Sequence, residues 1–397
     1  MKSRKLKSLS YCRLCENQIK KLPILKLNHM PIAAQHFLTK NEINKKDKFL
    51  NLQILQCAKC SLVQLDIKPV NYYKSVITAT SISGSTKTQR LEQMKNFCRK
   101  FKLKSKKVIE LGCGSGAMLD IINATGMKAY GLEYSKQSVA IGKNNKRNII
   151  QGYLNDLNEL KSSPYDAFIC YNFIEHIPNI NLFLNKIREN LKDNGVGIVT
   201  VPNLDYLIKT KSLYEFVADH LSYFTKNTIC YLFEKHNFKI LECKFINNKN
   251  DIFIMVKKID YKLKIKKFKP KTLNLKNDYA EVEKLIKHLK NISSDYKKKN
   301  KKIAIWGAGH RTLALLALAQ LKNIFFIVDS AKFKQNKFSP INFTKIVSPQ
   351  NLDNQNIDLL IVMLPGIYPD EVINKLLRQK VSYKLAKLIN NKIKFIN

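Results

Sequence analysis

Arginine is scarce in this chain: 8 of its 70 basic residues are Arg and 62 are Lys, set against only 30 acidic residues, for a formal net charge of +40 over 397 residues. A surface built to read nucleic-acid phosphate relies on the bidentate fork of Arg. No helix-turn-helix, ββα zinc finger or aromatic RNA-binding pattern accompanies the charge. Nucleic acid is therefore not expected as a partner. The Lys residues read as solvated surface, including the denser runs at 257–271 and 297–302, with attraction of a phosphorylated small molecule as their secondary use. Long apolar runs are missing too: no stretch of about eighteen apolar residues exists to cross a bilayer. Residues 1–10 are basic but lack the apolar core of a secretory leader, so a cytoplasmic location without membrane partners is the expectation. In that compartment the nine Cys are expected as reduced thiols or metal ligands.

What is present suffices for two or three domains, because 45% of the residues are hydrophobic and the chain exceeds the size of one ordinary core. The first unit is marked by Cys12-Arg13-Leu14-Cys15 and, after 41 residues, Cys57-Ala58-Lys59-Cys60. Each pair can set two thiolates on one knuckle, and two knuckles complete a tetrahedral shell for a structural Zn2+. The insertion is long enough to carry strands, and His29 and His36 within it read as ordinary polar residues. Beyond it, Asn71-Tyr72-Tyr73 and the hydroxyl-rich 81–86 stretch read as a substrate mouth or a polar connection, before a helix near 89–101.

The central unit alternates apolar strands with amphipathic helices. Val108–Leu111 predicts a strand, followed by Gly112-Cys113-Gly114-Ser115-Gly116 and a helix over 117–124. Glycines at alternate positions let a strand turn tightly into a helix and let a cofactor approach bare backbone. Gly112, Gly114 and Ala117 also satisfy the NAD-type pattern GxGxx[GA]. A second strand over 128–132 ends at Glu133, seventeen residues beyond Gly116, where a carboxylate can accept ribose hydroxyls. Further strands are expected at 165–171 and 195–202. The third glycine, Glu110 at the strand end and the run from Asn172 through His176 to Pro178 favour S-adenosylmethionine over NAD.

Taken together, VIELGCGSGAML, the acid in GLEYS, DAFICYNFIEHI and NGVGIVTVPN resemble the class I S-adenosylmethionine-dependent methyltransferases, in order and spacing. With the Cys quartet and the C-terminal unit, nearly the whole chain resembles the three-domain sugar C-methyltransferases. The resemblance implies an α/β protein: an N-terminal zinc-binding domain, a Rossmann-like methyltransferase domain and a C-terminal Rossmann-like domain. It also implies methylation of C-3 of a nucleotide-linked 4-keto-deoxysugar. The corresponding boundaries are 1–70 for the zinc unit, 71–101 for a connecting segment, 102–258 for the methyltransferase, 259–300 for a basic helical linker and 301–397 for the last domain.

By the same resemblance, Glu110, Gly112, Gly114 and Gly116 bound the cofactor's methionine end, Glu133 its ribose, and Asn172 lies close to the departing methyl. His176 and His220 match the family's two active-site histidines, with His220 the expected base and His176 a donor or positioning group. The chain departs where the family has Tyr-x-Glu-His: Val217 stands for the tyrosine and Asp219 for the glutamate. Asp219 is the expected acid of a dyad with His220, and Tyr214 or Tyr223 the candidates to replace the lost phenol.

The last unit opens Ile303-Ala304-Ile305-Trp306-Gly307-Ala308-Gly309-His310-Arg311-Thr312, with an apolar helix to 321 and strands at 324–328 and 358–363. Asp329 lies twenty residues after Gly309, but Thr312 interrupts the dinucleotide fingerprint. The family's Lys-Gly loop ending is replaced by His310-Arg311-Thr312. Arg311 beside a helix start could still bind a phosphate, the alternative being a packing domain without ligand.

Overall fold

The computed structural model describes residues 11–20, 22–43, 49–75, 84–264, 272–352 and 356–396. Residues 1–10, read above for a leader, 81–83 of the hydroxyl-rich stretch and 265–271 of the Lys-rich run lie outside them. Among the described residues no helix is long and apolar enough to cross a membrane.

The chain begins with an antiparallel meander, β1 (Leu25–Pro31), β2 (Phe49–Gln56) and β3 (Val63–Leu65), so the long insertion between the Cys pairs does carry strands. Helix α1 (Gly84–Lys100) leads into the central domain. There the order is β4 (Lys107–Leu111), α2 (Ala117–Asn123), β5 (Lys128–Glu133), α3 (Lys136–Asn144), β6 (Ile149–Gln151), β7 (Tyr165–Tyr171), α4 (Ile180–Glu189) and β8 (Leu191–Pro202). Then follow α5 (Leu204–Lys209), β9 (Ser222–Tyr223), α6 (Lys226–Lys235), and the hairpin of β10 (Phe238–Ile246) with β11 (Asp251–Lys258). The sheet order is β10-β11-β8-β7-β4-β5-β6, with β11 antiparallel to β8 and the five strands from β4 to β8 parallel. Strand order reverses between β4 and β7, and ligands of open α/β sheets bind outside the C-terminal strand ends at that point.

Strand alternation fixes the layers. In β4, Val108 faces the α1/α2 side with Ala167 and Ile169, while Ile109 and Leu111 face the opposite core with Phe168 and Cys170. The Cys pairs pack on that second side, alongside Phe183 of α4 and Phe233 of α6. Gly197 in β8 is needed because a Cβ there would lie 1.9 Å from Phe168 Cε1.

The C-terminal domain comprises α7 (Tyr279–Lys298), β12 (Ile303–Trp306), α8 (His310–Leu318), β13 (Ile324–Val328), β14 (Ile346–Val347), β15 (Leu359–Val362), α9 (Tyr368–Arg378), β16 (Lys384–Ile389) and β17 (Lys392–Ile396). Its sheet order is β14-β13-β12-β15-β16-β17, parallel except for β17. Helix α7, expected within a solvated linker, buries Val282, Leu285, Leu289 and Ile292 in one core with β1, β12 and α8. Its apolar residues recur at helical spacing, so one face is sequestered while the Lys-rich face stays wet. Strand β9, from the central domain, extends the N-terminal sheet by pairing Tyr223 with Val63 and Ser222 with Gln64. Chain segments from all three regions thus share a core around 204–223.

Candidate active site

Gly112, Gly114 and Gly116 take φ of +73°, +56° and +83°, a left-handed path that side chains resist. A Cβ at Gly112 would also meet Phe173 Cδ2 at 2.8 Å. The loop lies at the C-terminal end of β4, beside the switch point. Glu133, buried at the end of β5, accepts from Gly114 N–H at 2.9 Å through Oε2 and from Ser135 N–H at 2.8 Å through Oε1. Each carboxylate oxygen has a second lone pair, so ribose hydroxyls can still be received. Glu110 is 4% exposed and its Oε2 has no partner, the kind of orphaned acceptor a cationic cofactor end satisfies. Burial pushes its carboxyl up to about 8; Arg90 of α1 works against the rise and Glu133 adds to it. These features fit S-adenosylmethionine. Asn172, with φ of +45°, is pinned to β8 because Thr200 Oγ1 donates to its Oδ1 at 2.7 Å.

Three histidines from distant stretches meet beyond Asn172. His176 ends a short helical turn after β7, His220 precedes β9, and His310 opens α8 in the C-terminal domain. The His220 ring centroid is 4.7 Å from that of His176 and 4.7 Å from that of His310. His310 Nε2 lies 2.9 Å from Gln35 Nε2, joining the C-terminal domain to the N-terminal one over the site. Burial lowers all three: His176 to about 4, His310 to about 3, and His220 well below its usual value, helped by its histidine neighbours.

His176 Nδ1 lies 2.7 Å from the carbonyl oxygen of Asp219. A carbonyl only accepts, so Nδ1 carries the proton and Nε2 is a lone pair. With the imidazolium disfavoured by burial, His176 is an acceptor at its free nitrogen, so of the two roles expected of it, donor or positioning group, the geometry favours positioning. Asp219 also differs from expectation. Its carboxylate accepts from Tyr72 Oη at 2.6 Å and from Ala34 N–H at 3.0 Å, so it anchors the N-terminal domain and orients His176 through its backbone. The acid that stands with the histidines is Glu175, whose carboxylate lies within 4.8 Å of ring nitrogens of His176 and His220. Glu175 is 2% exposed, its Oε2 has no partner, and burial pushes it up to about 8.

Neither expected substitute for the phenol is free. Tyr223 Oη accepts from Val217 N–H at 2.8 Å, and Tyr214 Oη lies 3.4 Å from Ser212 Oγ. A further phenol, Tyr72 from the stretch read as a substrate mouth, reaches Asp219. Arg311 is engaged as well: its guanidinium donates to Glu215 at 2.6 Å and to the Leu364 carbonyl at 3.2 Å. A phosphate contact there is therefore closed while that pair stands. In the same domain Asp329 accepts from Ala308 N–H and Ala331 N–H, as Glu133 does from its loop, and in addition from Lys334 Nζ.

The Cys pairs form the metal centre. Cys12 and Cys60 sulfurs lie 3.5 Å apart, as do those of Cys15 and Cys57, and all four are within 4.8 Å of one another. Zinc–thiolate bonds of about 2.3 Å place tetrahedral sulfurs about 3.8 Å apart, so the quartet fits Zn2+. Each knuckle closes alike, with Glu16 N–H on Cys12 O and Ser61 N–H on Cys57 O, the closing residues at φ of +61° and +60°. Four protein thiolates leave no open position, so this zinc is structural.

The chain matches three family models in succession. Residues 12–68 match a zinc binding domain, 86–243 a methyltransferase domain, and 266–389 a C-methyltransferase C-terminal domain. C-methyltransferase NovU of Streptomyces niveus is 21% identical over 393 residues, covering 93% of each chain. The ubiquinone biosynthesis O-methyltransferase of Rickettsia prowazekii is 30% identical over 131 residues, 30% of this chain and 49% of that protein. A solved S-adenosylmethionine-dependent methyltransferase from Clostridium acetobutylicum is 14% identical, with a TM-score of 0.38, over 47% of this chain and 96% of that one.

Proposed function

This chain is an S-adenosylmethionine-dependent methyltransferase with a zinc-binding domain, and from that premise we propose that it methylates carbon beside the ketone of a nucleotide-activated sugar. The observation that carries the reading is the close pairing of His176 and His220 just beyond Asn172, at the switch point of the central sheet. S-adenosylmethionine supplies a methyl group on a cationic sulfur, and transfer from it asks mainly for alignment. Removing the acidic C–H proton asks for a base.

His220, held neutral by burial, takes that proton, and His176 is fixed beside it by the Asp219 carbonyl. Glu110 and the three glycines bound the methionine end, Glu133 receives the ribose, and Asn172 sits by the methyl group. The nucleotide-sugar acceptor is supported by the three-domain resemblance, by the similarity to NovU over 93% of the chain and by the net positive charge. Val217 in place of a phenol favours a second reading, an O- or N-methyltransferase on another polar acceptor, because an enolate oxygen then lacks one donor.

The test offers S-adenosylmethionine labelled with 13C at the methyl group together with nucleotide-linked 4-keto-deoxysugars. The expected product carries the label as a C-methyl resonance. An O- or N-methyl resonance transfers the assignment to the second reading. In deuterated solvent the wild type exchanges the proton at C-3 and His220→Ala does not; unchanged exchange in that variant removes His220 as the base.

A further inference from the structure

The four-cysteine cluster accounts for one metal ion, but a second group of ligating side chains sits where no metal has been assigned. Donor atoms of Glu175, His176 and His220 all lie within 4.8 Å of one another. Three features of this group are those of a built metal site. The Nδ1–H of His176 donates to a backbone carbonyl, the outer contact that usually fixes a ligating imidazole and leaves its Nε2 as a free lone pair. Glu175 is 2% exposed and its Oε2 is unpartnered, an acceptor withdrawn from water with nothing yet to satisfy it. Among the described residues no hydrogen bond is recorded to the His220 ring, which is positioned by ring contacts with His176, Tyr223 and His310.

We propose that Glu175, His176 and His220 form a second divalent-metal site, distinct from the cysteine cluster, with open positions toward the substrate. Two imidazoles and one carboxylate select the Zn2+, Co2+, Ni2+ and Fe2+ class, whereas Mg2+ and Ca2+ prefer all-oxygen shells. Bonds of about 2.0–2.1 Å in a tetrahedral shell bring donor atoms to about 3.4 Å. The unbonded Glu175 oxygen and the His220 ring can close the difference by side-chain rotation. An ion bound here takes the lone pair with which His220 removes a proton, so ion binding and ketone deprotonation exclude each other. That regulatory consequence rests on the function proposed above; the binding itself does not.

The experiment uses the full chain with zinc already in the cysteine cluster, titrated with Co2+ or Ni2+ by calorimetry. One further ion per chain is expected, with X-ray absorption showing a shell of nitrogen and oxygen only, and roughly tenfold or greater weakening in Glu175→Gln and in His176→Ala. No second ion at about 1 mM, sulfur in its shell, or undiminished binding in both variants overturns the site. Should a variant fail to fold by circular dichroism, the wild-type absorption spectrum decides. If the ion binds but no ketosugar is methylated, the functional reading fails and the site stands. If ketosugar is methylated and no ion binds, the site alone falls. If both stand, Ni2+ is expected to suppress solvent exchange at C-3, and undisturbed exchange with the ion bound overturns the regulatory consequence.

Discussion

Cofactor affinity should depend on pH through Glu110. This carboxyl, one residue before the end of β4, has 4% exposure and an unpartnered Oε2, and burial raises it to about 8. S-adenosylmethionine is cationic at sulfur, and the ionised carboxylate is the form that attracts it. At pH 7 only about one Glu110 in ten is ionised, so binding must first withdraw a proton. The sign follows directly: affinity rises as pH increases toward about 8 and levels above it. Below that point each pH unit costs up to tenfold, about 1.4 kcal/mol, which makes roughly fiftyfold between pH 8 and pH 6. Calorimetry across this range reads the affinity, and buffers of different ionisation heat count the proton released, about 0.9 per site at pH 7. Glu110→Gln keeps the size of the side chain and should bind weakly with the Glu110 contribution to the slope removed. A flat wild-type profile between pH 6 and 8, or an unchanged slope in Glu110→Gln, would refute the linkage.

In the zinc domain, Cys57→Ser should lose the single structural zinc, measured by elemental analysis, and lower the melting temperature, because the quartet is part of the core beneath α4 and α6. Leu289→Ala, at a 1% exposed position of α7, should cost about 2–5 kcal/mol in denaturant unfolding; a solvated linker helix would lose almost nothing. Gly112→Ala should weaken S-adenosylmethionine binding and lower stability, since its φ of +73° alone costs about 1–2 kcal/mol and Phe173 must move. Gly309→Ala should be silent within about 0.5 kcal/mol, because that residue is extended and a Cβ there meets nothing within 4 Å.

Much of the architecture was legible along the chain. Strands over 165–171 and 324–328 fall where their apolar runs lie, and β5 ends at Glu133 as the pattern predicts. Strand β8 begins at Leu191, ahead of the expected Gly195, because a polar segment joins the sheet through an irregular register with β7. The site was less legible. Glu175 stood beside His176 in the sequence with no signal of its role, since only the arrival of His220 gives its carboxylate a partner set. His310 marked a departure from the family's loop, but nothing local says that α8 will present it to His220.

The amino-acid sequence by itself determined what depends on nearest neighbours: thiol pairs on knuckles, glycines that alone accept left-handed turns, and apolar periods that select strand or helix. Tertiary structure decided what depends on residues far apart. It turned the Asp219 carboxylate to Tyr72 and Ala34, gave Arg311 to Glu215, buried one face of α7, and gathered Glu175, His176, His220 and His310 from two domains. The physical reason is that a buried polar group must find its partner in whatever packing brings close, and here that packing joins segments more than a hundred residues apart.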